Sequence, residues 1–205
     1  MKRYYYFMLF LFGCYQISGQ SIVCQNRIVS VDEFKSSMDS IGLVYELPTG
    51  FKSALVRGNG DLYYQFAIIN EDSTMEVRYT IFPIKQNLLE YEKLLKDLGT
   101  VMIHPNKMYT GIIQANMLNM TGGKDYQIGA FPKDAVNEEF NADVGGSCFF
   151  QFDCEFGKGY KYGHFVYLHK NNIADVIITY MDNDKAKHNE LMNGPFHSLK
   201  FKNGL

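Results

Sequence analysis

The segment from Glu138 to Asp182, EEFNADVGGSCFFQFDCEFGKGYKYGHFVYLHKNNIADVIITYMD, constrains the fold of this chain more than any other. Phe165, Tyr167 and His169 alternate with His164, Val166 and Leu168. Beyond Lys170-Asn171-Asn172, the residues Ala174, Val176, Ile178 and Tyr180 alternate with Asp175, Ile177, Thr179 and Met181. Period-two patterning rich in β-branched and aromatic residues predicts two strands. Asparagine tolerates positive φ, so Asn171-Asn172 suits the tight turn between them. Both faces carry apolar side chains, which predicts a hairpin at the centre of a sheet covered on both sides.

A chain of 205 residues suits one domain. Its 15 Tyr and 16 Phe, with no Trp, favour a sheet-rich fold. The formal net charge is −2, and no Lys/Arg block interrupts the mixed charge pattern. Nucleic acid needs clustered cations, so it is not expected as a partner.

Residues 1–20 have the layout of a secretory signal peptide. Lys2-Arg3 precedes an apolar run of nine, Tyr4 to Phe12, and small polar residues follow through Ser18-Gly19-Gln20. Nine residues cannot span a bilayer, which takes about 20. No second long apolar run exists, so no transmembrane helix is expected. Removal of the segment leaves 18 basic against 22 acidic residues, a net −4. Cleavage after Gly19 or Gln20 releases one domain over residues 21–205 to the periplasm or medium. Leu11-Phe12-Gly13-Cys14 also resembles a lipobox, and lipidation of Cys14 is the alternative: an outer-membrane lipoprotein held by a lipid anchor. Export permits disulfides. Cys148 and Cys154, six apart, are the candidate pair, against two reduced buried thiols. No CxxC exists and the histidines are scattered, so neither metal nor other cofactor is expected.

Along the chain, Ser30-Val31-Asp32-Glu33 has the form of a capping box, and Val31, Phe34, Met38 and Ile41 recur at helical spacing up to Gly42. Leu62–Ile69 and Met75–Phe82 read as a second hairpin. Its second arm sets Met75, Val77, Tyr79 and Ile81 against a wet face bearing Glu76 and Arg78, a solvated charge ladder. Leu88–Leu98 reads as a helix, and His104-Pro105 opens another in which Met108, Ile112, Ala115 and Asn119, with Ile113, Met117 and Met120 beside them, form a broad apolar stripe expected in the core. Ile128–Phe131 is a short strand, Pro132–Phe140 a helix and Val144–Phe152 a strand. After the central hairpin, Asp182 or Asp184 caps a helix through Met192 that Gly194-Pro195 breaks. Phe196, Leu199 and Phe201 supply the last apolar contacts.

Chemistry is sparse. Gly-x-Ser-x-Gly is absent. Gly146-Ser147-Cys148 offers a nucleophile beside glycine amides, and His164 or His169 could serve as base. The bland reading is that Gly145-Gly146 allows a tight path into the Cys148 strand. Glu138, Glu139, Asp143, Asp153 and Glu155 read as solvent-facing carboxylates. His164 and His169 fall on opposite faces of one strand and cannot share a metal. His188 and His197 read as isolated surface or packing residues. A recognition patch is the remaining candidate: Asn141, Asp143, Gly145 and Gly146 near Tyr160 and Tyr162, since tyrosine beside Gly and Asn suits adaptable contact.

The LPTGF stretch (Leu47–Phe51), the hairpins with intervening helices, YKYGHFVYLHKNNIADVIITYMD and the terminal FHSLKF together resemble the α/β/α sandwich of PsbP-like and Mog-type proteins. The stretches EEFNADVGGSCFF, EFGKGYKYG and LHKNN resemble a group of exported bacterial proteins. The likeness covers Glu138–Phe201 best. It implies a single antiparallel sheet flanked by helices, an α+β fold. It also implies an accessory role, because PsbP-like proteins serve as extrinsic subunits and Mog-type proteins bind a partner protein. It carries no catalytic set. The expected function is therefore a non-enzymatic accessory or binding protein with an unknown protein or small ligand in the cell envelope. The alternative is a small exported hydrolase using Cys148 or Ser147 with a histidine.

Overall fold

The structure, a computed structural model, describes residues 26–98 and 102–204. The signal-like segment, Cys14 and Cys24 lie outside the described residues. In chain order the elements are β1 (Arg27–Ile28), α1 (Val31–Ile41), β2 (Leu43–Tyr45), β3 (Phe51–Ser53), β4 (Leu55–Val56), β5 (Phe66–Asn70) and β6 (Met75–Pro83). Then come α2 (Lys85–Leu98), a 3-10 turn (Pro105–Lys107), α3 (Tyr109–Thr121), β7 (Gly129–Ala130) and α4 (Lys133–Phe140). The chain continues through β8 (Val144–Gln151), β9 (Tyr162–Lys170), β10 (Ala174–Asp182), α5 (His188–Phe196) and β11 (Leu199–Phe201).

Seven strands form a wholly antiparallel sheet in the order β3-β5-β6-β10-β9-β8-β7. The expected hairpin is β9–β10, and it is central. All nine residues of β10 are buried. Asn172 has φ 66° in the turn, the left-handed conformation asparagine tolerates. Val166, Leu168, Val176 and Ile178 are fully covered, each side chain worth roughly 1.5–3 kcal/mol of transfer free energy.

A single sheet is not what forms. β2 pairs with β11, and β1 with β4, as separate two-stranded ribbons. The reason lies in what β2 buries. Tyr45 packs its ring at 4.9–5.5 Å from Phe34, Phe66 and Tyr79, on top of the sheet. The β2–β11 ribbon therefore belongs to the covering layer and cannot extend the sheet edge. With it in that layer are α1, α4 and α5. Phe34 stacks on Phe66, Val136 meets the β8 backbone at Gly145, and Phe196 rests on Tyr180. The opposite layer holds α3 and the loop after β8, whose Phe156 lies over Arg78. The α3 stripe is narrower than expected, with Ile113, Met117 and Met120 buried, Met108 and Ile112 half-buried, and Ala115 and Asn119 turned outward.

Helix ends follow the local chemistry. Ser30 Oγ accepts from the Glu33 N–H at 3.1 Å, and Gly42 closes α1 at φ 92°. α5 departs from expectation at both ends. It starts at His188, because Asp182 is still in β10 and Asp184 Oδ1 caps only a turn at Ala186 N. It also runs through Gly194-Pro195. Pro195 has no N–H to give the Leu191 carbonyl, and the helix ends one residue later, at Phe196.

The face of β6 expected to be wet is dry. Glu76, Arg78 and Thr80 are all buried. The polar alternation is real, but loops reach across it, and the two charges neutralise each other beneath them.

Candidate functional site

Two open, mostly apolar cavities mark the described surface: one of about 510 Å³ between α3 and Tyr126–Ile128, and one of about 330 Å³, walled by aromatic rings, between α4 and the end of α5. Phe131 leaves β7 with its N–H on Gly145 O at 2.9 Å, which aims the chain across the covering layer. Pro132 precedes α4, where its fixed φ suits a helix start. Val136 and Phe140, four apart on α4, are buried and line the α4–α5 cavity from within, with Ala135, Glu138 and Glu139 along its more open side. Asn141 ends the helix in the left-handed conformation, φ 49°. Its side-chain amide donates to Lys202 O at 2.6 Å, and Lys170 Nζ donates to its carbonyl at 2.5 Å. The C-terminal strand and the central hairpin thus pin α4 in place.

Three phenylalanines wall the cavity. Phe131 and Phe140 lie nearly parallel, 18° apart in plane, with centroids 6.5 Å apart. Phe196 stands across both, at 77° to Phe131 and 73° to Phe140, with centroids at 6.4 and 5.2 Å. Phe140 is buried, while Phe131 and Phe196 are half-buried. On the rim, Glu139 bonds His197 Nδ1. Glu138 is exposed and has no ion-pair partner among the described residues. Among the described residues, no Lys or Arg lines the cavity.

The expected recognition patch is not assembled. Asn141 and Asp143 lie at the start of β8, where Val144 pairs with His169. Tyr162 pairs with Gln151 at its other end, and Tyr160 precedes it. Eight strand residues separate the two groups, on the order of 25 Å. Each half has a structural task. Asp143 Oδ2 accepts from the backbone and side-chain amides of Asn171, at 2.9 and 2.7 Å. Burial opposes its ionisation, but those bonds outweigh it and hold the carboxyl below its usual range. Tyr160 O–H donates to Glu76 Oε2 at 3.1 Å. Gly145 and Gly146 are buried in β8. A Cβ on Gly146 would stand 2.4 Å from Gly129 O, so glycine is what lets β7 pair there.

Cys148 and Cys154 are free thiols, and the candidate disulfide is not formed. Cys148 is held in β8 at 2% exposure, facing Phe165, while Cys154 lies in the loop beyond the strand. Burial pushes both thiols up in pKa. The Cys148–histidine arrangement is likewise not assembled. His164 pairs with Phe149 and so faces the other side of the sheet. His169 shares the Cys148 face but sits four residues along, roughly 13 Å away. Ser147 is diagonal to His164, whose ring bonds His188 instead.

Three buried polar groupings escaped the sequence reading. His188, expected to stand alone, is 2% exposed. Its Nδ1 bonds Asp182 Oδ2, and its Nε2 lies 3.1 Å from His164 Nδ1. This makes a chain Asp182–His188–His164 at one end of the sheet. Burial, then the neighbouring His188, lowers the His164 pKa to about 4, so its ring is neutral at pH 7. At the other end, His169 Nδ1 lies 2.6 Å from Asp175 Oδ1, under the ring of Tyr109 stacked at 4.4 Å. The third grouping is the dry face of β6. Arg78 Nε donates to Glu76 Oε1 at 2.7 Å, and its guanidinium lies 4.7 and 4.6 Å from the Tyr64 and Phe156 ring centroids. No spacing rule links residues 164, 182 and 188. Only the β9–β10 register and the return of α5 bring them together.

Among the described residues, no group of three or more His, Cys, Asp and Glu side chains is placed to hold a metal ion, and no helix is long and apolar enough to cross a membrane. No protein-family model matches the chain, and no curated protein matches it. Among solved structures, it is similar to the solution structure of cyanobacterial PsbP (CyanoP) from Synechocystis sp. PCC 6803. The identity is 13% and the TM-score 0.44, over 89% of this chain and 96% of that one.

Proposed function

We propose that this protein is an exported, non-enzymatic binding or accessory protein of the cell envelope that takes its ligand in the α4–α5 cavity. One contrast carries the reading: Cys148, His164, His169 and His188 are held within the sheet and its covering layers, while the open cavity is walled by carbon, with only Glu138 and the exposed Glu139–His197 pair at its rim. Acid–base catalysis needs a group that titrates near the working pH and reaches a substrate proton. His188 and His169 are each buried against a carboxylate, and Cys148 is enclosed with its pKa raised. A concave, mostly apolar site with a few polar groups at its edge is the usual form of a small-ligand site, and about 330 Å³ falls at the small end of the range. The export part of the reading rests on the charged, apolar and polar zones of residues 1–20.

The test is turnover. The mature chain, with Cys148→Ala and Ser147→Ala variants, is incubated with chromogenic esters, peptides and covalent serine- and cysteine-hydrolase probes. Neither turnover nor labelling at residues 147–148 is expected. Hydrolysis that disappears in either variant would overturn the reading. Intact-mass measurement of the envelope form tests export by locating the N-terminus and any lipid on Cys14.

A further inference from the structure

We infer that the ligand of the α4–α5 cavity is a small organic cation with an apolar body, such as an alkylated ammonium. The inference rests on the binding-protein reading and gives that site a ligand class. Aromatic faces are electron-rich, and a cation within about 6 Å of a ring centroid is attracted to them. Phe131, Phe140 and Phe196 all line the cavity and pack on one another, two nearly parallel and one across, with centroids 5.2–6.5 Å apart, so a cation would rest against this cluster and not between its rings. The two half-buried rings leave surface open to the cavity. An apolar ligand of any charge could exploit those walls, but the rim discriminates. Its two carboxylates, Glu138 and Glu139, are unopposed by any Lys or Arg among the described lining residues. Glu139 is shared with His197, which leaves Glu138 as the rim carboxylate without an ion-pair partner among the described residues. An anion would meet repulsion at the mouth, and a neutral ligand would gain at most a hydrogen bond to a rim carboxylate, without the attraction between opposite charges. A strongly hydrated ammonium loses more water on entering apolar walls than an alkylated one, which favours the latter.

The experiment compares choline with 3,3-dimethylbutan-1-ol, which has the same shape without the charge, by NMR-detected titration of the mature protein. Choline is expected to shift resonances of Ala135, Val136 and Phe196 saturably, and the alcohol to bind about tenfold more weakly or worse. Glu138→Gln, an exposed change that leaves the core alone, is expected to weaken choline severalfold and leave the alcohol unaffected. Ala135→Trp, filling the cavity from its open side, is expected to abolish binding of both without moving the unfolding midpoint. Equal affinity for the two probes, preference for the alcohol, or no saturable shift from choline would each overturn the cation inference. Those results leave the binding-protein reading standing, since only turnover removes that.

Discussion

Arg78 gives the sharpest energetic test of this fold. It is 3% exposed and bonded to Glu76, itself 1% exposed, with Phe156 O also accepting from its guanidinium. Arg78→Met keeps much of the volume between Tyr64 and Phe156 but strands the Glu76 carboxylate. What remains to Glu76 is the Tyr160 hydroxyl at 3.1 Å and Arg57 Nη1 at 3.3 Å, on a side chain 56% exposed. Breaking a buried ion pair from one side costs about 3–5 kcal/mol. The surviving partners offset part of that, so about 3 kcal/mol is expected, a large share of a typical 5–15 kcal/mol. Removing the charge as well, in Glu76→Gln with Arg78→Met, should recover about 1–2 kcal/mol relative to the sum of the singles, because neither charge is then stranded. The assay is urea unfolding followed by circular dichroism, run as a double-mutant cycle. Arg78→Met costing under about 1 kcal/mol, or strictly additive singles, would refute a desolvated, mutually dependent pair.

Other consequences are as direct. Gly146→Ala drives a Cβ to within 2.4 Å of the Gly129 carbonyl and 2.7 Å of Tyr167, so it should cost about 1–3 kcal/mol and release β7 from the sheet edge, seen as faster amide exchange at residues 129–131. In a Cys24→Ser background, Cys148 should react with Ellman's reagent more slowly than the half-buried Cys154, and both more slowly than a free thiol, since burial raises both pKa values. Single Cys→Ser variants assign the phases, and a fast Cys148 phase in the folded state would contradict its enclosure.

What the sequence made legible was whatever depends on neighbours in the chain. The Ser30 cap, the Gly42 terminus and the β9–β10 hairpin each follow from a few consecutive residues. The α3 methionines follow from helical spacing. What it hid depends on returns from far away. The wet reading of Glu76 and Arg78 failed because Tyr64 and Phe156, 92 positions apart, close over them. Phe196, Leu199 and Phe201 read in the sequence only as apolar contacts, and the pairing of β11 with β2 leaves no local mark there. The recognition patch failed for the opposite reason. Asn141 and Tyr160 are close in number, but an intervening strand carries the chain to the far end of the sheet. The cavity itself joins Phe131, α4 and Phe196, which no single window of sequence contains.

The central claim is that the buried ionisable groups are framework, not machinery, and His164 tests it most directly. Unfolded, its imidazole takes a proton near 6.5; folded, at about 4. Between those values the unfolded chain holds the extra proton, so stability falls as pH drops from about 6.5 toward about 4, by roughly 2–3 kcal/mol in all. Above 6.5 both states are neutral and this contribution is flat. A general base for neutral-pH chemistry would instead titrate near 7 in the folded protein. The measurement is an NMR pH titration of the His164 ring resonances in the native chain. Resonances unchanged from pH 8 to 5.5, moving only toward pH 4, are the expected result. A midpoint between 6 and 7.5 in the folded protein would contradict the account.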